Sequence, residues 1–173
     1  MPDNETTTND TPTTSNELME RKWLGHYIDA SFNGTSTSYI RLGEDLEEYN
    51  IEMNADVSTK KNIIGDNTTR VKGYEPQSSV DTYLAYEGDA LFNRLYAIIN
   101  ERYTGSKLHT TVIDVLVNSS GEVVSAYREN VVVIPQSIGG DTEGINIPFE
   151  IHYNGGRVNG SFNTETKTFT PST

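Results

Sequence analysis

Three histidines and many carboxylates are the residues of this 173-residue chain that could bind metals or transfer protons. His26, His109 and His152 lie on three separate predicted strands, with no ligand spacing among them. A zinc site needs three or four converging ligands, and the sequence does not indicate one. Serine and aspartate are too frequent for any Ser-His-Asp combination to stand out. We therefore expect no metal ion and no nucleophilic triad.

The carboxylates do not indicate acid–base catalysis either. Glu47 and Glu48 would point to opposite faces of a strand, which makes them a poor pair of general acid and base. The acidic loop over residues 139–144 lacks the helix and the lysine typical of a phosphate-binding loop. Asp141 and Glu143 could hold a calcium ion, although a solvated turn is the simpler interpretation. We expect no cofactor and no enzymatic activity.

The charge balance restricts the possible partners. The chain has 13 Lys+Arg and 25 Asp+Glu, which gives a net charge of −12. This excess opposes simple nucleic-acid binding, which needs a basic surface. The chain has no cysteine, so disulfides and thiolate chemistry are excluded. No apolar run approaches the roughly 18 residues of a membrane helix, and the N-terminus lacks a signal-peptide pattern, so we expect no membrane segment.

The composition divides the chain into two parts. Residues 1–18 are rich in Thr, Asn, Asp and Pro and contain almost nothing apolar. Such a segment cannot bury enough surface to order itself. We interpret it as a flexible arm, which is either a random tail or is ordered by a neighbouring subunit. Residues 19–173 are expected to form one β domain.

The most informative stretch covers residues 46–75. Alternate residues between 48 and 57 form a polar, largely acidic set and an apolar set: Glu48, Asn50, Glu52, Asn54, Asp56 and Tyr49, Ile51, Met53, Ala55, Val57. Side chains of a strand alternate between its faces, so this pattern predicts a strand with one acidic and one apolar face. Turn residues around Gly65 and a second extended run over 68–75 complete a long β-hairpin.

The tip of this hairpin carries two basic and two apolar residues, Lys60, Lys61, Ile63 and Ile64. Apolar side chains exposed at a projecting tip indicate contact with another protein. The alternative is a twisted hairpin whose tip folds back onto its own core.

The rest of the chain predicts short strands and one helix. Strands are expected over residues 23–32, 39–42, 77–85, 108–117, 123–134, 145–153, 158–163 and 166–170. The helix has Asp89 as its N-cap and Gly105 as its C-terminal glycine. Its apolar face is expected to cover the sheet and comprises Leu91, Phe92, Leu95, Tyr96, Ile98, Ile99 and Tyr103. The expected fold is mainly β, an antiparallel sandwich or half-barrel with a flanking helix and a projecting hairpin.

Several segments of the chain are similar to sequence motifs of one protein family. They are Val71-Lys72-Gly73-Tyr74-Glu75-Pro76-Gln77, Glu87-Gly88-Asp89, the strand around Asp114, Ala126-Tyr127-Arg128-Glu129, Pro135-Gln136-Ser137 with Gly139-Gly140-Asp141, and Ile147-Pro148-Phe149 running into Ile151-His152-Tyr153. In their order and spacing, the chain resembles the major tail tube proteins of bacteriophages and prophages of Gram-positive hosts. The resemblance covers about residues 23–169, and these segments are not catalytic signatures.

The resemblance implies a structural role in a virion. The fold would be related to the tube proteins of contractile tails and type VI secretion systems. Six subunits would form a ring whose inner sheets join into a barrel, and rings would stack into a hollow tail tube. This tube would enclose the tape-measure protein, meet tail-tip and terminator proteins, and conduct DNA during ejection without binding it specifically. The hairpin would make contacts between subunits and between rings. Assembly would take place in the host cytoplasm.

The acidic composition suits a tube through which DNA must slide. A basic wall would hold phosphates strongly, whereas an acidic wall repels them. A ring of six copies would carry a charge of about −72. We therefore expect Glu48, Glu52 and Asp56 to face the lumen, with Glu150 as a weaker candidate on another strand. The rival interpretation places this acidic face on the outer, solvent side.

Two other functions remain open. A monomeric carbohydrate-binding or adhesin-type β module would use some of the ten tyrosines and the single tryptophan as exposed sugar platforms. Tyr49, Tyr153 and Tyr96 are instead expected in the core, which argues against that module. The chain could also belong to the tube of a contractile tail or bacteriocin. No sheath-binding feature is recognisable, so a non-contractile tail is the expectation.

Overall fold

The computed structural model describes residues 18–32 and 36–172. Nearly all of the expected N-terminal arm lies outside the described residues. The described strands are β1 (Leu24–Asp29), β2 (Tyr39–Leu42), β3 (Ala55–Lys61), β4 (Asn67–Tyr74), β5 (Gln77–Val80), β6 (His109–Val117), β7 (Val123–Pro135), β8 (Gly139–Gly140), β9 (Ile145–Asn146), β10 (Phe149–Tyr153), β11 (Val158–Asn163) and β12 (Thr168–Pro171). One α-helix, α1, spans Ala90–Glu101, and short 3-10 helices span Arg21–Trp23 and Gly105–Leu108.

Eight strands form one antiparallel, curled sheet in the order β12-β11-β7-β6-β1-β2, with β10 pairing to β7 and β5 pairing to β10. The long strand β7 organises this branching. It has 13 residues, about 40 Å of extended chain, so one half pairs with β11 and the other half pairs with β10. This architecture confirms the expected mainly β half-barrel with a flanking helix.

One face of the sheet packs against the helix. Ile28 of β1 and Val131 and Val133 of β7 are fully buried there. Leu91, Leu95 and Ile98 of α1 pack into the same cluster. Burial of each such side chain stabilises the fold by about 2 kcal/mol, so α1 covers the sheet as expected.

A second, smaller core lies on the opposite face, where β11 and β12 close over β1 and β6. Its buried members are Tyr27, Tyr39, Ile113, Val115, Ala126 and Phe162. The rings of Tyr27 and Phe162 lie 4.6 Å apart between centroids. Gly160 permits this closure, because a Cβ atom at that position would lie 2.3 Å from the carbonyl oxygen of Thr170.

The N-terminus of α1 agrees with the sequence prediction, and the C-terminus does not. At the N-terminus, Asp89 Oδ1 accepts a 2.9 Å hydrogen bond from the Leu91 amide, which confirms the expected cap. The expected C-terminal glycine is wrong. Arg102 occupies the left-handed position with φ of 51°, and Gly105 instead begins the following 3-10 helix. The chain leaves the helix one turn earlier than the glycine suggests, because the amide of Tyr103 already closes the last turn onto Ile98 at 3.0 Å.

The regular strand expected over residues 48–57 is also wrong. Strand β3 begins only at Ala55, and the preceding segment makes a single β-bridge, between Glu52 and Gln77. Asn54 interrupts the extended chain with φ of 41°, and its side-chain amide donates to the Glu75 carbonyl oxygen at 3.2 Å. Asparagine tolerates this conformation better than most residues, so the alternation of polar and apolar residues breaks there.

The strand expected over residues 145–153 is divided at Pro148. Proline has no amide hydrogen for a β ladder, so β9 ends before it and β10 begins after it. The carbonyl oxygen of Pro148 accepts from the Gln136 amide at 2.8 Å. Ile147, Phe149 and Ile151 are buried as the alternation predicts. Ile145, which lies on the other side of the division, is exposed.

Candidate assembly surfaces

The sheet face opposite α1 has an exposed polar region where β5 and β10 meet. Residues directly paired across a ladder share a face. Glu52 pairs with Gln77, and Gln77 pairs with His152, so these three side chains lie on one surface. Glu150 belongs to the same face of β10, two residues from His152. We call this surface, formed by Glu52, Gln77, Ser79, Glu150 and His152, the polar sheet face.

Hydrogen bonds connect the carboxylates of the polar sheet face to their neighbours. Glu52 Oε2 accepts from Gln77 Nε2 at 3.5 Å, and His152 Nε2 lies 3.0 Å from Glu150 Oε2. The side chains of Glu150 and His152 are each 41% exposed, so water and solute reach this pair. The surface is therefore acidic and hydrated rather than a closed catalytic site.

The structure brings together only two of the four acidic residues expected to share a surface. Glu52 and Glu150 meet on the polar sheet face. Glu48 is exposed before the β-bridge, where it accepts a 2.5 Å hydrogen bond from Asn50. Asp56 lies on β3, where its carboxylate is 3.5 Å from Lys72 Nζ.

The hairpin of β3 and β4 is a separate two-stranded sheet with exposed tip residues. At its tip, Asn62 Oδ1 accepts hydrogen bonds from the amides of Ile64 and Asp66, at 3.1 Å and 2.8 Å, and Gly65 has φ of 96°. Ile63 is 105% and Ile64 is 78% exposed. The long hairpin is confirmed, and the alternative in which its tip folds back onto the core is wrong.

The hairpin has two different faces, which the sequence did not indicate. Ser58 pairs with Arg70 and Lys60 pairs with Thr68, which places Lys60, Arg70 and Lys72 along one surface with Ser58 and Thr68. We call this surface the basic hairpin face. Val57 pairs with Val71 and Thr59 with Thr69 on the opposite side. Lys61 falls on that opposite side by register, but at the tip its side chain lines the same concavity as Lys60, Arg70 and Lys72.

The basic hairpin face contrasts with the rest of the molecule. Residues 55–74 contain four basic and two acidic residues and carry a net charge of about +2, whereas the whole chain carries −12. The acidic face that the sequence predicts for this strand is therefore wrong for β3. Its bulge between Asp56 and Val57 shifts the register there, and the basic residues of β4 outnumber the single carboxylate.

A buried polar cluster beneath the sheet was also missed. His26 of β1 and Asp114 of β6 are paired across the ladder and bonded through Nδ1 and Oδ1, with both side chains buried. The His26 ring lies 4.4 Å from that of Tyr49, whose hydroxyl lies 3.5 Å from that of Tyr153. Burial raises the pKa of Tyr49 and of Tyr153. The His26–Asp114 bond joins β1 to β6 beneath the sheet, and of the cluster only Tyr49 lines a surface concavity among those found on the described residues.

The other residues considered for chemistry are dispersed. His26 is on β1, His109 is on β6 and His152 is on β10. Within residues 18–32 and 36–172, no group of three or more His, Asp or Glu side chains could hold a metal ion. Asp141 Oδ1 accepts from the Glu143 amide at 2.8 Å, so this carboxylate stabilises its own turn. Over the same residues, no helix is long and apolar enough to cross a membrane.

The tyrosines are divided between core and surface. Tyr49 is buried and Tyr153 packs against the helix-covered core, as expected. Tyr96 is 48% exposed, so its expected place in the core is wrong. It lies on the outer side of α1, where its ring stacks on Phe92 at 6.2 Å between centroids. The broad apolar face predicted for the helix is therefore narrower in the structure.

No family model and no curated protein matches the chain. Solved structures do match it. One is the sheath/tube terminator of PVC, an extracellular contractile injection system, in its extended state: TM-score 0.53, 10% identity, covering 85% of this chain and 99% of that one. Another belongs to the extended sheath-tube complex of the same kind of system: TM-score 0.50, 11% identity, covering 86% and 95%.

The chain has a tail-tube-like fold. At such low identity the likeness establishes the fold alone. The resemblance to major tail tube proteins of Gram-positive phages, which the sequence indicates, stays a prediction.

Proposed function

We propose that this chain is the major tail tube subunit of a long-tailed phage or prophage. Six copies form a ring, and rings stack into a hollow tube that encloses the tape-measure protein and conducts DNA during ejection. The observation that carries the proposal is the tail-tube-like fold together with a polar sheet face on the side of the sheet opposite α1. The function is structural, not enzymatic.

Strand edges that pair with no other described residues support ring formation. Strands β2 and β12 lie at two ends of the main sheet, and β5 ends the branch through β10. Exposed edges recruit further strands, and repeated head-to-tail pairing around a closed ring satisfies them. In the proposed ring, neighbouring copies pair along such edges, and the sheets join into one barrel.

The proposed lumen is acidic. Glu52 and Glu150 of the polar sheet face line the channel, whereas Glu48 and Asp56 lie on other surfaces and are not part of this proposal. The carboxylates of Glu52 and Glu150 repel the phosphates of passing DNA, so the duplex slides on water instead of binding to the wall. Beyond about 8 Å this repulsion is screened at physiological salt, so it acts mainly close to the wall.

The proposed contact between subunits and between rings uses the hairpin tip. Lys60, Lys61, Ile63 and Ile64 project into solvent in the single chain. Burial of Ile63 and Ile64 against a neighbouring copy removes two exposed apolar side chains from water. Tail-tip and terminator proteins are the further partners, in the assembled virion and in the host cytoplasm during assembly.

The first experiment is negative-stain electron microscopy of the purified, concentrated full chain, with light scattering on the same sample. Six-fold rings and hollow tubes support the proposal. Rings that do not stack favour a tube terminator, a second candidate that the likeness to a sheath/tube terminator supports. A persistent monomer that binds glycans in a screen favours the carbohydrate-binding module instead.

A further inference from the structure

Two of the three cations of the basic hairpin face form no ion pair with the described residues of their own chain. Among the described residues, Lys72 pairs with Asp56 at 3.5 Å, and neither Lys60 nor Arg70 forms an ion pair. Within residues 18–32 and 36–172, β3 and β4 pair only with each other, and their basic side chains are exposed. Lys60 and Arg70 are therefore available to a partner, and Lys72 extends their row although it also contacts Asp56.

A complementary surface lies elsewhere on the same chain. One concave region is lined by Leu46, Thr82 and Leu84 and by five carboxylates, Asp45, Glu47, Glu48, Asp81 and Glu143. We call this region the acidic basin. It draws on the loop after β2, the segment after β5 and the turn between β8 and β9. No basic side chain lines it, and none of its carboxylates forms an ion pair among the described residues.

We propose that the basic hairpin face of one copy docks in the acidic basin of a second copy. This inference rests on the proposed tube function and assigns both surfaces of one of its contacts. The charges are opposite, and each copy offers one hairpin and one basin. Such a contact is heterologous, so it can be repeated from copy to copy around a ring or along a stack.

Charge complementarity also favours the hairpin–basin contact over direct contacts between the acidic bodies of two copies. The bodies of two copies are both strongly acidic and repel each other, whereas the positively charged hairpin is attracted to the basin. The cations that meet the basin are Lys60, Arg70 and Lys72. Leu46 and Leu84, which also line the acidic basin, give the aliphatic stems of these side chains an apolar surface to cover.

Engineered cysteines test the contact directly, because the chain has no native cysteine. Thr68 lies on the basic hairpin face and Thr82 lies in the acidic basin, and neither is charged. Chains with Thr68→Cys are mixed with chains carrying Thr82→Cys at low salt and oxidised. We expect disulfide-linked pairs that contain one chain of each kind. At about 1 M salt, where screening acts within about 3 Å, we expect most of this linking to disappear.

The matched control replaces Thr69, which lies beside Thr68 on the opposite face of the hairpin. Thr69→Cys introduces the same thiol only one residue away from Thr68, so the two experiments differ mainly in the face of the hairpin that carries the cysteine. Mixed pairs formed as often with Thr69→Cys as with Thr68→Cys overturn the docking inference, and so does linking that is insensitive to salt.

Electron microscopy of the same samples separates this inference from the tube proposal. Rings or tubes without selective Thr68 linking overturn the docking contact and leave the tube proposal standing. Selective linking without rings or tubes supports the contact and removes the tube proposal. Absence of both removes both.

Charge reversal gives a second, independent test. One variant carries Lys60→Glu, Arg70→Glu and Lys72→Glu, and the other carries Glu47→Lys, Glu48→Lys and Asp81→Lys. Each variant alone presents like charges at the contact, so we expect assembly to be lost in both. In a mixture, the normal hairpin of one meets the normal basin of the other, and the two reversed surfaces also match. We expect the mixture to assemble with the two variants alternating. Assembly of either variant alone at the wild-type level overturns the inference.

Discussion

Glu52 and Glu150 lie on one exposed sheet face, joined through two paired residues. Glu52 bridges to Gln77, Gln77 pairs with His152, and the imidazole of His152 is 3.0 Å from the Glu150 carboxylate. These two glutamates come from distant parts of the chain, and they are united by the bridge from Glu52 to Gln77 together with the pairing of β5 with β10. The proposed lumen is defined by this relationship.

Charge reversal of this pair should make the tube hold DNA. In Glu52→Lys with Glu150→Lys, each ring gains cations where duplex DNA passes, and phosphate binding follows. We expect assembled tubes of this variant to retain duplex DNA at low salt and release it as salt rises. The measurement is retention of labelled DNA by pelleted tubes.

The matched control for DNA retention is Glu101→Lys with Glu165→Lys, which changes the net charge equally at two exposed sites off the polar sheet face. Equal retention by control tubes would contradict a lumen formed by the polar sheet face, because binding would then follow net charge alone.

Ile63→Asp should abolish assembly and leave the monomer folded. The side chain is fully exposed, so the change costs little in the monomer, but a carboxylate at the tip cannot enter an apolar contact without losing its hydration. Light scattering measures assembly, and circular dichroism measures folding. Val124→Asp, at another exposed apolar site 62% accessible, is expected to assemble normally. If Ile63→Asp assembles as well as that control, the tip is not a contact.

Arg102→Gly should stabilise the chain. Arg102 has φ of 51°, a conformation that costs a residue with a Cβ atom about 1 kcal/mol relative to glycine. We expect the free energy of unfolding in urea to rise by about that amount. Gly105→Ala is the reciprocal change, because Gly105 has φ of 64°, and it should lower the free energy of unfolding similarly. A neutral or destabilising Arg102→Gly would show that the arginine side chain stabilises the helix end by other contacts.

Stability should fall in alkaline solution because of the buried tyrosines. Burial raises the pKa of Tyr49 and Tyr153 above the ordinary value of about 10. The unfolded chain releases these protons at about pH 10 and the folded chain keeps them. The free energy of unfolding therefore keeps its highest value below about pH 10. Above that pH it falls by up to about 1.4 kcal/mol per pH unit for each buried phenol.

Urea titrations on both sides of pH 10 measure this dependence. Tyr153→Phe removes one of the phenols whose pKa burial raises, so the stability of this variant should fall less steeply with pH than that of the wild type. A slope in Tyr153→Phe equal to that of the wild type would contradict the role given to the Tyr153 phenol.

Local sequence signals located most elements because they depend on neighbouring residues. Asp89 caps the helix through the amide of Leu91, only two residues away. Asn62 and Gly65 form the hairpin turn with their immediate neighbours. The alternation around Phe149 and Ile151 reports burial on one face of β10. Each of these features is specified within a few residues, so it can be predicted from the sequence.

The failures occur where a distant residue decides the outcome. Glu52 leaves the expected strand to bridge Gln77, and Asn54 turns the chain toward the Glu75 carbonyl. The basic hairpin face depends on the register of β4 against β3, which a bulge shifts. The pairing of His26 with Asp114 depends on β1 lying beside β6. None of these partners can be identified from periodicity.

The sequence by itself determined the mainly β fold, the single flanking helix, the long hairpin and the exposed isoleucines at its tip. These features follow from turn chemistry, capping and the alternation of side chains. The tertiary structure alone decided which charged residues share a surface, because strand order and register bring distant residues together. Glu52 thus lies with Glu150, and Asp56 lies among the cations of the hairpin.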